Sequence, residues 1–134
     1  MSVAYGTSIG AGPKHVNTDN ATVFNTKVVE VGAGQSIINI HVSAKDLPKA
    51  DLVGESDPMC VMFIPINGRY VEIARTEVVW NDPSPSFVSY FLANYIFETV
   101  QPLRFAFYDC DSENPDLSKH DHLGYVDTDV QALV

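Results

Sequence analysis

The stretch Ser36-Ile37-Ile38-Asn39-Ile40-His41-Val42-Ser43-Ala44 sets Ile38, Ile40 and Val42 on one side of an extended chain, and Asn39, His41 and Ser43 on the other. Side chains of a strand alternate between faces, so a period of two with one apolar side reads as a strand lying on a core. Outward from it the same vocabulary recurs. Residues 22–31 are β-branched with weaker alternation, and residues 59–64 are continuously apolar, as in a strand buried on both faces. Apolar runs at 70–80, 87–97, 103–108 and 123–130 follow, punctuated by Gly, Pro and Asn; Asn67-Gly68 suits a two-residue hairpin. Eight prolines are scattered through the chain, and no run has the length and period of a long helix. Seven or so short strands with regular turns describe an all-β fold, an antiparallel β-sandwich. Residues 1–21 are rich in Gly, Ser, Thr and Asn without periodicity, and read as a flexible leader or an arm laid on a neighbour. That leaves 22–134 as one domain.

With 134 residues, 46% of them hydrophobic, the chain can bury a sizeable core. No apolar run approaches the ~20 residues of a membrane-spanning helix. The first residues lack the basic-then-apolar plan of a secretory signal, and Ser2 is not the glycine that N-myristoylation requires. Cys60 and Cys110 lie in or beside strand-like runs and read as reduced, structural thiols of a cytoplasmic protein. Seventeen acidic residues against eight basic ones give a net charge of -9. That balance argues against nucleic acid as a partner and against direct attraction to an anionic leaflet. An acidic protein still binds such a surface when a cation lies between them, so the placement of the acids matters.

The aspartates concentrate in loops. Asp51 and Asp57 flank the segment between the second and third strand-like runs; Asp109 and Asp111 follow the run at 103–108, and Asp116 and Asp121 precede the run at 123. Carboxylates two apart at a strand end project to one side and can reach one ion. Calcium takes six to eight oxygen ligands in flexible geometry, which two Asp-rich loops supply; magnesium holds to a stricter octahedron. Zinc would want His and Cys, for which His120-Asp121-His122 is the only hint. A loop aspartate is by default a turn residue capping local backbone. Five or six acids gathered at one end of a sandwich repel one another by ~1 kcal/mol or more per close pair, which a bound cation relieves.

Several segments together resemble the C2 domain family. Leu47-Pro48 through Asp51, then Gly54-Glu55-Ser56-Asp57-Pro58, is similar to its first calcium-binding loop. Asn81-Asp82-Pro83-Ser84-Pro85-Ser86-Phe87 is similar to its second loop. Tyr108-Asp109-Cys110-Asp111 leading to Ser118-Lys119-His120-Asp121-His122-Leu123-Gly124 is similar to its third. Arg75-Thr76-Glu77-Val78-Val79, Asp57-Pro58-Met59-Cys60-Val61 and Phe97-Glu98-Thr99-Val100-Gln101-Pro102-Leu103-Arg104-Phe105 resemble, more narrowly, the first C2 domain of copines. The resemblance runs from about residue 36 to 130. It implies a Greek-key β-sandwich of about eight strands whose closing strand lies beyond Val134, so that the chain is part of a longer protein. It places the five acidic calcium ligands at Asp51, Asp57, Asp109, Asp111 and Asp121. The third loop is longer than usual, which lets Asp116 replace or supplement Asp121. Leu52, Val53 and Leu117 fall at loop tips that would dip into the lipid interface. The function implied is calcium-dependent binding to anionic, phosphatidylserine-type phospholipid. The protein would move from the cytoplasm to the inner face of the plasma or another membrane as a peripheral protein.

Other residues take blander readings. Trp80 borders the second loop and reads as a packed strand-end residue; Tyr90, Phe91, Phe105 and Phe107 read as core or sheet-face residues. Alternation turns Cys110 away from Asp109 and Asp111. Two rival functions stand beside the first. Asp-x-Asp motifs also hold metal in transferases, but no nucleophile–base set and no Gly-rich phosphate loop accompanies this one, so an enzyme is not expected. A calcium-independent interaction module, docking target proteins within a larger assembly, would suit the acidic surface and the leader.

Overall fold

The computed structural model describes residues 21–48 and 56–134. Seven strands run through them: β1 (Thr22–Gly32), β2 (Gln35–Ala44), β3 (Pro58–Ile66), β4 (Arg69–Arg75), β5 (Phe91–Tyr95), β6 (Pro102–Asp109) and β7 (Asp121–Asp129). A one-turn helix α1 (Val130–Leu133) ends the chain, and a 3-10 turn spans Leu117–Lys119. All pairings are antiparallel, in a three-stranded sheet ordered β1-β2-β5 and a four-stranded sheet ordered β4-β3-β6-β7. The fold is the expected all-β sandwich, with seven strands among the described residues where the resemblance implied about eight. No strand among them pairs with the outer edge of β5.

The alternation in β2 is realised as read. Ile38, Ile40 and Val42 are buried between the sheets with Phe91 of β5, Met62 of β3 and Phe105 and Phe107 of β6. Phe105 meets Phe24 at 5.0 Å and Phe91 at 5.3 Å between ring centroids. Each such side chain contributes about 1.5–3 kcal/mol by leaving water. β3 is central in its sheet, and Met59 to Phe63 are buried on both faces. On its outer side Met59, Val61 and Phe63 form a second cluster with Ala106, Tyr108 and Cys110. Asn67-Gly68 turns β3 into β4 with φ of 52° and 80°, the left-handed pair of a type I′ hairpin.

Two strands stop short of their apolar runs, and hydrogen bonds explain both. β4 ends at Arg75 rather than continuing to Trp80: beyond it the Thr76 hydroxyl accepts from the Cys60 N–H at 2.9 Å, taking a ladder position. Ahead of β5, the N–H groups of Val88 and Ser89 donate to the Glu77 carboxylate at 2.7 and 3.1 Å instead of to a neighbouring strand. Trp80, freed from a strand, is 50% exposed rather than packed.

Candidate metal centre

One end of the four-stranded sheet carries the acids. Register sets Pro58 opposite Asp109 and Asp109 opposite Asp121, so β3, β6 and β7 bring Asp57, Asp109 and Asp121 to neighbouring strand ends, with Asp111 two residues on. Like charges directly opposite on paired strands repel, and nothing in sheet formation calls for them. Asp109 is only 5% exposed, which raises the cost of its charge.

Backbone donors hold part of that charge. The Asp57 N–H donates to Asp109 Oδ1 at 2.9 Å, and the Asn81 N–H donates to Asp57 Oδ1 at 2.6 Å. Asn81 makes that bond from a left-handed conformation, φ 57°, so the second loop bends sharply towards the first. The Cys110 N–H donates to the Asp57 carbonyl at 3.0 Å, continuing the β3–β6 ladder into the loops. With carboxylates turned onto amides in this way, no three His, Cys, Asp or Glu side chains among the described residues stand close enough to hold a metal ion as they are. Asp51, Leu52 and Val53 lie outside the described residues.

The third loop has its own scaffold. The Asp111 N–H donates to His120 Nδ1 at 3.2 Å, and His120 Nε2 lies 2.6 Å from the Asn114 carbonyl. Together these suit the tautomer that donates from Nε2 and accepts at Nδ1, with both nitrogens used inside the loop. His122 faces elsewhere, edge-on to Tyr108 at 5.3 Å, so the His-x-His pair does not converge as zinc ligands would. The bracing role of His120 escaped sequence reading because its partners are backbone groups of the loop.

Asp116 is occupied locally. Its Oδ1 accepts from the Ser118 N–H at 2.9 Å and hydroxyl at 2.7 Å, capping the 3-10 turn, and these bonds hold its carboxyl below the usual range. Leu117 is half-buried against the outer cluster of the sheet rather than standing at a free tip. The Arg75 guanidinium ties the loop down by donating to the Pro115 carbonyl at 2.9 Å, while Glu72 grips it from the other side at 2.6 and 2.8 Å.

Beside the acids lies a cleft of about 360 Å³ lined by Arg75, Glu77, Trp80, Glu113 and Pro115. Cys110 also lines it, buried in the outer cluster. Burial, then the charge of Asp109, pushes its thiol up to about 11, so it stays protonated at neutral pH and is no nucleophile there.

The comparisons agree with this architecture. A family model described as "C2 domain" matches residues 36–134. The chain is similar to nicotinic receptor-associated protein 1 of Caenorhabditis briggsae, at 34% identity over 75% of this chain and 20% of that protein. It is similar to the protein of the same name in Caenorhabditis elegans, at 37% identity over 65% of this chain and 17% of that one. The chain thus spans about a fifth of the length of the curated relatives it matches. Among solved structures it resembles one titled BON1-C2B, with a TM-score of 0.57 and 24% identity over 72% of this chain and 65% of that one; this likeness speaks to the fold.

Proposed function

The chain belongs to the C2 domain family, and on that footing we propose that it is a calcium-dependent module that binds anionic phospholipid. The observation that carries this reading is the register placing Asp57, Asp109 and Asp121 on adjacent strand ends, with Asp111 two residues on. Carboxylate oxygens are the hard donors calcium prefers, and a cation would ease the repulsion of the opposed Asp109–Asp121 pair. Asp51, Asp57, Asp109, Asp111 and Asp121 would hold the ion, with Asp116 held back by Ser118. The three quoted segments support the narrower likeness to the first C2 domain of copines. On this reading the module is not an enzyme; it is cytoplasmic, and reaches the inner face of the plasma or another membrane as a peripheral protein.

Bound calcium would supply positive charge at one end of the sandwich and coordination sites for lipid phosphate oxygens. The chain's own residues do the rest. A protein at -9 is repelled by a leaflet at about -30 mV, which keeps the empty module off the membrane. Leu52 and Val53 would add apolar contact, and Leu117 would join them by leaving the outer cluster. Vesicle co-sedimentation tests this. Binding is expected to phosphatidylserine vesicles with calcium, and to be lost with chelator, on phosphatidylcholine alone, or in Leu52→Asp combined with Leu117→Asp. Sedimentation that survives chelator, or that ignores vesicle charge, contradicts it. The name of the relatives favours a second reading, a calcium-independent module that docks a target protein; saturable calcium binding separates the two.

A further inference from the structure

The end of the sandwich away from the aspartates carries a different surface. Glu30 pairs with Ser36 and Ser36 with Tyr95, so the turn after β1 and the loop after β5 leave adjacent strands at this end. Phe97 and Val100 in that loop are 73% and 71% exposed, and Val31 and Ile96 are more than half exposed. Apolar residues scattered singly over a surface are ordinary, but Phe97 and Val100 are built outward on one short loop.

The base of that loop is locked. The Ile96 N–H donates to Gln101 Oε1 at 3.0 Å, and Gln101 Nε2 donates to the Asn94 carbonyl at 2.7 Å. Gln131 of α1 closes the clamp: its Oε1 accepts from the Gln101 N–H at 2.8 Å, and its Nε2 donates to Gln101 Oε1 at 2.7 Å. Between the two apolar residues Glu98 takes a left-handed conformation, φ 58°. Strain of that kind persists only where the surroundings enforce it. A rigid loop that holds a phenyl ring in water has already met the ordering cost of a contact. Charge narrows the contact's chemistry. Residues 28–36, 94–101 and 129–134 hold Glu30, Glu98 and Asp129 and no Lys, Arg or His.

We propose that the loop carrying Phe97 and Val100 is a docking knob for a protein partner whose contact segment is amphipathic and basic, apolar residues meeting the knob and Lys or Arg meeting the acids around it. The site is independent of the calcium loops and lies at the opposite end of the domain, so a partner and a membrane can be held at once.

Amide NMR on the full chain tests this, with an 18-residue Leu/Lys amphipathic peptide as probe and a Leu/Glu peptide of the same length as control. The Leu/Lys peptide should shift the amides of 96–101, Val31 and Ala132, and the Leu/Glu peptide should not. Phe97→Ser with Val100→Ser should weaken binding about tenfold or more, while Phe97→Leu keeps most of it. Both positions are exposed, so melting temperature and calcium titration should match wild type. No binding, shifts confined to the aspartate loops, or unchanged affinity in the double variant would overturn the proposal. So would the same residues responding to phosphatidylcholine vesicles, which would make the knob a lipid contact, or a dimer lost in the double variant, which would make the occupant a second copy.

Discussion

Asp109 meets two demands at once. Its Oδ1 accepts the Asp57 N–H, and its charge faces Asp121 across the β6–β7 pair. Asparagine keeps the first role and removes the second. Asp109→Asn should therefore leave the calcium-free melting temperature equal to wild type or higher, and lower calcium affinity many-fold, read by thermal scans with chelator and by calcium titration. Asp109→Ala also strips the acceptor from the Asp57 amide and should cost about 1 kcal/mol more. The two cysteines give a second expectation at this scale. Burial raises the thiol of Cys60 well above its usual value, and that of Cys110 is up at about 11. At pH 8 a thiol reagent should label neither until denaturant opens the fold; rapid labelling of Cys110 would contradict its place in the outer cluster. The acids were legible because spacing at strand ends is a sequence property. His120 and Asn81 were not, since each acts on backbone groups of a loop whose path no periodicity encodes.

Strands were legible through their apolar period, and their ends were not, because a strand ends where a side chain takes over its hydrogen bonds. Glu77 does so ahead of β5. Burial alone would raise its carboxyl, but the N–H groups of Val88 and Ser89 outweigh that and hold it below the usual range. A depressed acid stabilises the fold above its unfolded pKa and loses that contribution as pH falls through its folded pKa. Wild type should thus exceed Glu77→Gln in melting temperature at neutral pH, with the gap closing as pH falls from about 5 towards 3. A gap that stays constant with pH would contradict this account. Arg104 is a charged residue within the apolar run of β6. Flanked by Leu103 and Phe105, it is 2% exposed on the outer side of β6, between the rings of Tyr70 at 4.2 Å and Tyr125 at 4.1 Å. Asp127, its register partner, accepts two of its N–H groups at 2.5 and 2.7 Å. The stack staples β4, β6 and β7 together across the outer face. Arg104→Ala should destabilise by about 3 kcal/mol in urea unfolding, at the low end for a buried pair because Asp127 is 46% exposed and can rehydrate. Arg104→Lys should recover only part, since an ammonium neither stacks nor pairs bidentately.

Across the whole molecule the two ends of the sandwich differ in kind. One gathers aspartates against each other; the other sets Phe97 and Val100 among scattered acids. Net charge at -9 was plain in the composition, but only the β3–β6–β7 register shows which acids meet. If calcium is what reconciles them, it must stabilise the fold: a hundredfold excess over the dissociation constant adds about 2.7 kcal/mol. Reciprocity also requires phosphatidylserine to raise calcium affinity by the factor calcium raises lipid affinity. The most direct test is a calorimetric calcium titration of the wild-type chain beside Asp109→Asn, each with and without phosphatidylserine vesicles. Saturable binding is expected for wild type in or weaker than the sensor range, roughly 10⁻⁷ to 10⁻⁵ M, tightened by the vesicles and weakened many-fold in the variant. An absence of saturable heat, or equal affinity in wild type and Asp109→Asn, would contradict it.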